Sequence, residues 1–362
     1  MENQARNSSI ELLRIATIIL IIFHHFNIHG IWLPENYSLS MGWQLFISCL
    51  SGWGGNVGNE KFMIITGYFM ITSRVHWRKI VLLCATMFLY SWGFAAFFFG
   101  VMDWECTAKE ISKYVIPIWS GVNWFVCCYL VFMCFVPFVN LFIRKMTQRQ
   151  YLGFLILNYI MFMLIPRLSG ETYLSGKFIQ FLIMYTFGGY IRLYGNELKH
   201  FRNINFWRRG ILVCVILLGI ASLFPSAFGH WGPYHRIRSL VEPFMAVSCF
   251  MMALCCKPFS SKFINRIAGS VLGIYLIHDN PLVRKFIWNM WYPNLDYLDI
   301  WYFPLFMIGK IALVFLVCLG IDQLRICFIE LYMKRYIDTR WEKWEQKLEF
   351  YKIRVCRYME KF

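Results

Sequence analysis

Apolar residues in this chain come in long runs separated by short polar connections. A helix needs about 20 mostly apolar residues, at about 1.5 Å each, to cross a bilayer core of roughly 30 Å. The pattern predicts about ten such stretches, near residues 10–29, 57–73, 79–101, 122–143, 151–167, 176–194, 209–228, 240–257, 267–289 and 303–324. The expected fold is all-α: a polytopic membrane protein of about ten transmembrane helices spanning residues 1–326. From Cys327 to Phe362 the pattern changes. Trp341, Trp344, Leu348, Tyr351 and Val355 recur at helical spacing with Lys and Glu between them. That predicts a basic amphipathic helix lying on the cytoplasmic membrane face, with a short coiled-coil contact as the alternative.

Composition agrees with lipid as the main solvent. Hydrophobic residues make up 59% of the 362, and charged residues only 15%. Exchanging the 20 Tyr for the 24 Gly keeps the share near 60%, against about 45–50% in soluble domains. Mean hydropathy is +0.50. A net charge of +16 would suit nucleic acid on a soluble module, but here the cations sit between apolar runs, so no nucleic-acid partner is expected.

Those cations set orientation instead. Arg6, the Arg74–Lys79 and Arg144–Arg149 clusters, the 192–209 and 257–266 connections and the tail fall on one side, roughly 25 in all. About 8, among them Lys177, Arg284 and Lys285, fall on the other. The bias places both termini in the cytoplasm of a multi-pass cell-membrane protein. Trp32 to Gly58, with five glycines after Met41, reads as an external loop or re-entrant hairpin, because a further span would invert the bias. The first run resembles a signal peptide after Arg6. It contains Arg14, ends in His24 and His25 and lacks a small-x-small site, so it is read as a retained span. The 13 cysteines lie mostly in apolar runs without zinc spacing, which implies neither disulfides nor a metal.

Charges inside a span cost about 2.5–3.5 kcal/mol each and mark candidate sites. The first helix holds Glu11, Arg14, His24 and His25. Ser8 and Glu11 fit a capping box, with Glu11 also able to pair with Arg14. Arg14 and His25 are eleven residues apart, almost three turns, so they share a face with about 16 Å between them along the axis. An acyl-coenzyme A, with phosphates at one end and a thioester a pantetheine arm away, matches that spacing. A snorkelling Arg with a structural His is the alternative. Thr66-Gly67-Tyr68 on the second helix allows close approach, and Arg74 and Arg78 follow it as phosphate ligands or topology signals. Asn123-Trp124 opens the fourth helix. His278-Asp279-Asn280-Pro281 should break the ninth.

In this order these elements resemble acyltransferase family 3 integral membrane proteins. The resemblance rests on Arg14 and His25, on Phe62-Met-Ile-Ile-Thr66-Gly67-Tyr68, on the Arg pair after it, on Asn123-Trp124-Phe125 and on Gly273-Ile-Tyr275-Leu-Ile-His278. It covers roughly residues 8–325. Thr66 replaces the usual Ser, and Arg74 and Arg78 stand one residue wider than the common Arg-x-x-Arg. The family implies a membrane O-acyltransferase that moves an acyl group from cytoplasmic acyl-CoA to a hydroxyl of a surface or lipid-linked glycan; of acetyl and succinyl, the lack of a basic residue assignable to the acyl end favours acetyl, with acetyl-CoA as donor. It implies His25 as base or acyl relay, Arg14, Arg74 and Arg78 on the donor, and Glu11, Thr66, Tyr68, Asn123, Trp124, Tyr275 and His278 along the acceptor or cavity. A transporter or flippase of a lipid-linked glycan is the competing class, distinguished by needing no acyl donor.

Overall fold

A computed structural model describes residues 6–31, 42–169, 176–197 and 202–343. They are helical with no strand. The chain runs through α1 (Ser8–Gly30), α2 (Gly42–Ser51), α3 (Gly54–Met70), α4 (Trp77–Ala95), α5 (Ala108–Val115), α6 (Pro117–Ser120), α7 (Trp124–Arg144) and α8 (Gln148–Tyr159). It continues with α9 (Ile165–Ser169), α10 (Lys177–Tyr194), α11 (Ile204–Phe228), α12 (Trp231–Cys255), α13 (Lys262–Gly269), α14 (Val271–His278), α15 (Pro281–Lys285) and α16 (Phe303–Phe328). A π turn extends α4 to Val101, and another joins α8 to α9.

Among the described residues, seven helical stretches are long and apolar enough to cross a membrane: 8–30, 77–101, 124–144, 148–169, 204–228, 231–255 and 303–328. The other three stretches expected to span are also helical but stand outside that set. Helix α3 has 17 residues and carries Glu60 and Lys61, α10 has 18 with Lys177 and Arg192 at its ends, and residues 262–290 form four short pieces. Helix α2, at 10 residues, reaches only about 15 Å and cannot cross the bilayer. A turn at residues 52–53 leads from it into α3, and it packs against α11 and α1; residues 32–41 lie outside the described residues. Lipid is the natural contact for the exposed apolar faces, such as Leu212, Ile216 and Ile220 on α11 and Leu305, Ile308 and Leu316 on α16.

Helix α1 lies between two apolar cores. Ile18, Ile22 and Phe26 join a cluster with α4, α7, α14 and α16, while Ile10 and Leu13 join one with α3, α7, α10 and α12. Its start corrects the expected capping box. Asn7 is the cap and accepts from the Ser9 N–H at 3.0 Å. Ser8, already helical, donates to Asn265 at 2.9 Å and accepts from the Ser261 N–H at 2.8 Å. Glu11 is left to pair with Arg14 at 2.9 Å.

Helices α3 and α10 cross at contact. A Cβ on Gly67 would strike the Tyr185 carbonyl, and one on Gly188 would strike that of Ile64. The expected break near Pro281 is present: α14 ends at His278, and α15 starts at Pro281 with Asn280 accepting from the Leu282 N–H at 3.0 Å. Beyond α16, residues 330–343 are helical, tied back by Arg325 to Glu330 (2.9 Å) and by Arg78 to Asp338 (3.6 Å). Trp344, Leu348, Tyr351 and Val355 lie outside the described residues.

Candidate active site

Two cavities lie along α1. The first, about 300 Å³, is lined by Glu11 and Arg14 with Phe62, Thr66, Phe125, Tyr129 and Tyr275. The second, about 310 Å³, is lined by His24, His25, His29, Asn56, Trp124, Lys177, Tyr275, Asp279 and Arg284. They meet at Ile21, Asn59 and Tyr275, which line both. Arg14 and His25 therefore line two neighbouring cavities on one face of α1, as their eleven-residue spacing predicts.

At the His25 end the hydrogen-bond chain fixes which nitrogen carries which proton. His278 Nδ1 is 2.6 Å from the Ile274 carbonyl, an acceptor only, so this nitrogen donates. In a neutral His278, Nε2 then accepts, and its partner His25 Nδ1, 2.9 Å away, donates. The lone pair of a neutral His25 is left on Nε2. His278 is fully buried and His25 is 6% exposed. A second chain runs beside it: Arg284 donates to His29 Nε2 at 2.9 Å and lies 3.6 Å from Asp279 Oδ1, which is 3.5 Å from His25 Nδ1. His24 donates to the Gly52 carbonyl.

Ligand atoms of His25, His29 and Asp279 lie within 4.8 Å of one another, a spacing that suits a metal ion. The Arg284 guanidinium already faces two of the three, so the donor set reads as an ion-pair network and fits a divalent cation poorly.

Of the residues singled out from the sequence, Glu11, Arg14, Thr66 and Tyr275 come together in the first cavity and His25, Trp124 and Tyr275 in the second. Thr66 spends its hydroxyl on the Phe62 carbonyl at 2.8 Å. His278 lines neither opening and stands behind His25. Asn123 is buried before α7 and lines neither. Tyr68 lies about 200° around α3 from Thr66 and faces α10 and α12. Arg74 lines a separate opening with Arg144, and Arg78 meets Asp338. Neither lines the Arg14 cavity.

Sequence reasoning passed over His29, Arg284, Asn56 and Lys177 as site residues, and read Asp279 only as part of a polar run marking a cavity or the span's outer end. His29 had a signal, being one turn beyond His25 on the same face.

The fold and its openings define a multi-pass membrane protein with a buried polar site between its helices. A family model described as an acyltransferase domain matches residues 7–321. The chain belongs to this family, acyltransferase family 3, and is a membrane acyltransferase. No curated protein and no solved structure matches it.

Proposed function

We propose that the chain transfers an acyl group, acetyl, from acyl-CoA to a hydroxyl of a cell-surface or lipid-linked glycan. It does so in the cell membrane, with both termini cytoplasmic. The observation that carries this reading is the adjacent pair of cavities along α1, with a cation lining one and, about 16 Å along the axis, an oriented imidazole lining the other. Arg14, steadied by Glu11 at 2.9 Å, meets donor phosphates. His25 Nε2 takes the proton of the acceptor hydroxyl while its oxygen attacks the thioester carbonyl. The C–S bond breaks, and the thiolate leaves to be protonated as coenzyme A. Trp124 offers the acceptor sugar a flat apolar face beside His25. In the relay version the acyl group rests on His25 before the hydroxyl attacks.

The test is proton NMR of surface glycan from cells lacking the gene and complemented with wild type, His25→Ala or Arg14→Gln. An O-acyl signal restored by wild type, absent with His25→Ala and reduced with Arg14→Gln is expected. The signal also identifies the acyl group. Activity of His25→Ala within a few-fold of wild type would falsify both versions.

A further inference from the structure

Tyr68 closes the Thr66-Gly67-Tyr68 step yet looks away from the Arg14 cavity. Its ring lies 5.1 Å from the Arg192 guanidinium carbon, and its hydroxyl accepts from Arg192 at 3.3 Å. The Gly67–Gly188 crossing holds α3 and α10 close enough to fix this pair.

Around it the ends of α3, α10 and α12 enclose a separate cavity of about 490 Å³, lined by Arg192, Arg202, Lys257 and Asn196 over apolar Met251 and Leu254. Arg202 is held by Asn196 Oδ1 at 3.2 Å. Among the described residues no carboxylate lines the cavity, and Glu197 beside Asn196 is exposed. Among the described residues none of its three cations forms an ion pair.

The Ser8 N–H donates to the Phe259 carbonyl at 2.8 Å, so Lys257 sits at the end of the bundle where α1 begins. That is the end the charge bias gives to the cytoplasm, where the leaflet is anionic. Three like charges around one concavity repel unless an anion is shared between them. Guanidinium forks and an ammonium are the donors that phosphate oxygens take.

We propose that Arg192, Arg202 and Lys257 form a binding site for a phosphate group, with an anionic phospholipid headgroup or a soluble pyrophosphate as the two sources of that chemistry. The site shares no lining residue with the cavities along α1, and so it is independent of the acyl-transfer reading.

The test uses the full chain in neutral detergent, titrated with phosphatidylglycerol, phosphatidylcholine and inorganic pyrophosphate, with bound molecules counted by native mass spectrometry. Wild type should prefer phosphatidylglycerol or pyrophosphate over phosphatidylcholine. An Arg202→Gln/Lys257→Gln double variant should bind the preferred probe roughly thirtyfold more weakly. Selectivity for phosphatidylglycerol assigns a lipid headgroup, and selectivity for pyrophosphate assigns a soluble ligand. Should the double variant misfold, exposed Lys257→Gln alone should cost roughly fivefold. The proposal is overturned by a wild type that binds all three probes alike, or by variants that bind as wild type does.

Discussion

Replacing His278 with Leu tests the proton assignment at His25 directly. The substitution removes the acceptor 2.9 Å from His25 Nδ1 and the donor 2.6 Å from the Ile274 carbonyl. The next acceptor is Asp279 Oδ1 at 3.5 Å, beyond normal hydrogen-bond length. A buried N–H left without a partner costs about 1–3 kcal/mol. Where that loss falls on the imidazolium formed in the transition state and not on the neutral ring, about 1.4 kcal/mol per factor of ten makes it a fall in kcat of about 5- to 150-fold. A ring that moves its proton to Nε2 loses its base altogether, so the fall can be larger, as when an orienting partner is removed from a hydrolase histidine. The donor KM should stay within about twofold, because His278 lines neither cavity. His278→Gln, whose amide oxygen can accept from Nδ1, should recover part of the rate. The assay is the initial rate of coenzyme A thiol release by the purified protein in nanodiscs, with membranes from cells lacking the gene as acceptor. A folded His278→Leu protein within twofold of wild type, or Leu and Gln variants equally inactive, would refute the assignment.

Three further outcomes follow from the packing. Gly67→Ala should lower stability by about 1–3 kcal/mol in detergent unfolding, since its Cβ meets the Tyr185 backbone. Gly309→Ala, with nothing near its Cβ, should change stability by no more than about 1 kcal/mol. Arg238→Met leaves Glu242 fully buried without its 2.6 Å partner and should cost about 3–5 kcal/mol, while Arg238→Met/Glu242→Gln should recover much of that. In the connection between α4 and α7, Glu110 caps α5 by accepting from the Thr107 N–H and hydroxyl, which hold its carboxyl below the usual range. Because the folded value is depressed, the cap's contribution is complete above the ordinary carboxylate range and lost as pH falls through the folded value. Amide exchange in α5 should accelerate over that window, and equal exchange at neutral and acidic pH would count against the cap.

Helix arithmetic made one axis of the site legible. Arg14 and His25 share a face because eleven residues make almost three turns, and that needs no tertiary information. The same arithmetic puts Tyr68 on the opposite face from Thr66, so grouping them in one cavity followed the motif instead of the helix. Arg284 and Lys177 were harder to read. Counted as external cations in the charge bias, they look like solvated loop residues. The broken α14–α15 segment brings one, and the start of α10 the other, over the His25 opening. Helices α3 and α10 fall outside the seven apolar spans for a related reason. Their faces are specified by each other: Gly67 and Gly188 permit contact, and buried Glu60 is met by Gln180 at 2.8 Å and Arg167 at 3.5 Å. Pairwise burial of this kind leaves no signature in the hydropathy of either segment.

The polar groups around His25 also bear on packing, because His25 and His29 find their partners across a helix contact, in His278, Asp279 and Arg284. His25 and His29 belong to α1, His278 to α14, Asp279 to the break, and Arg284 to α15. A carboxylate or guanidinium in this layer without its partner costs several kcal/mol. The network therefore forms only when α1 is seated against the broken segment, and it favours that seating over other rotations of an otherwise apolar helix. Apolar contacts on α1 specify its rotation weakly, since Ile and Leu surround it and both cores accept them. The charged and imidazole groups supply the specificity. Orientation of the His25 ring and correct packing of the first helix are thus one event, and the break at Asp279 and Asn280 is what gives α1 a polar partner to register against.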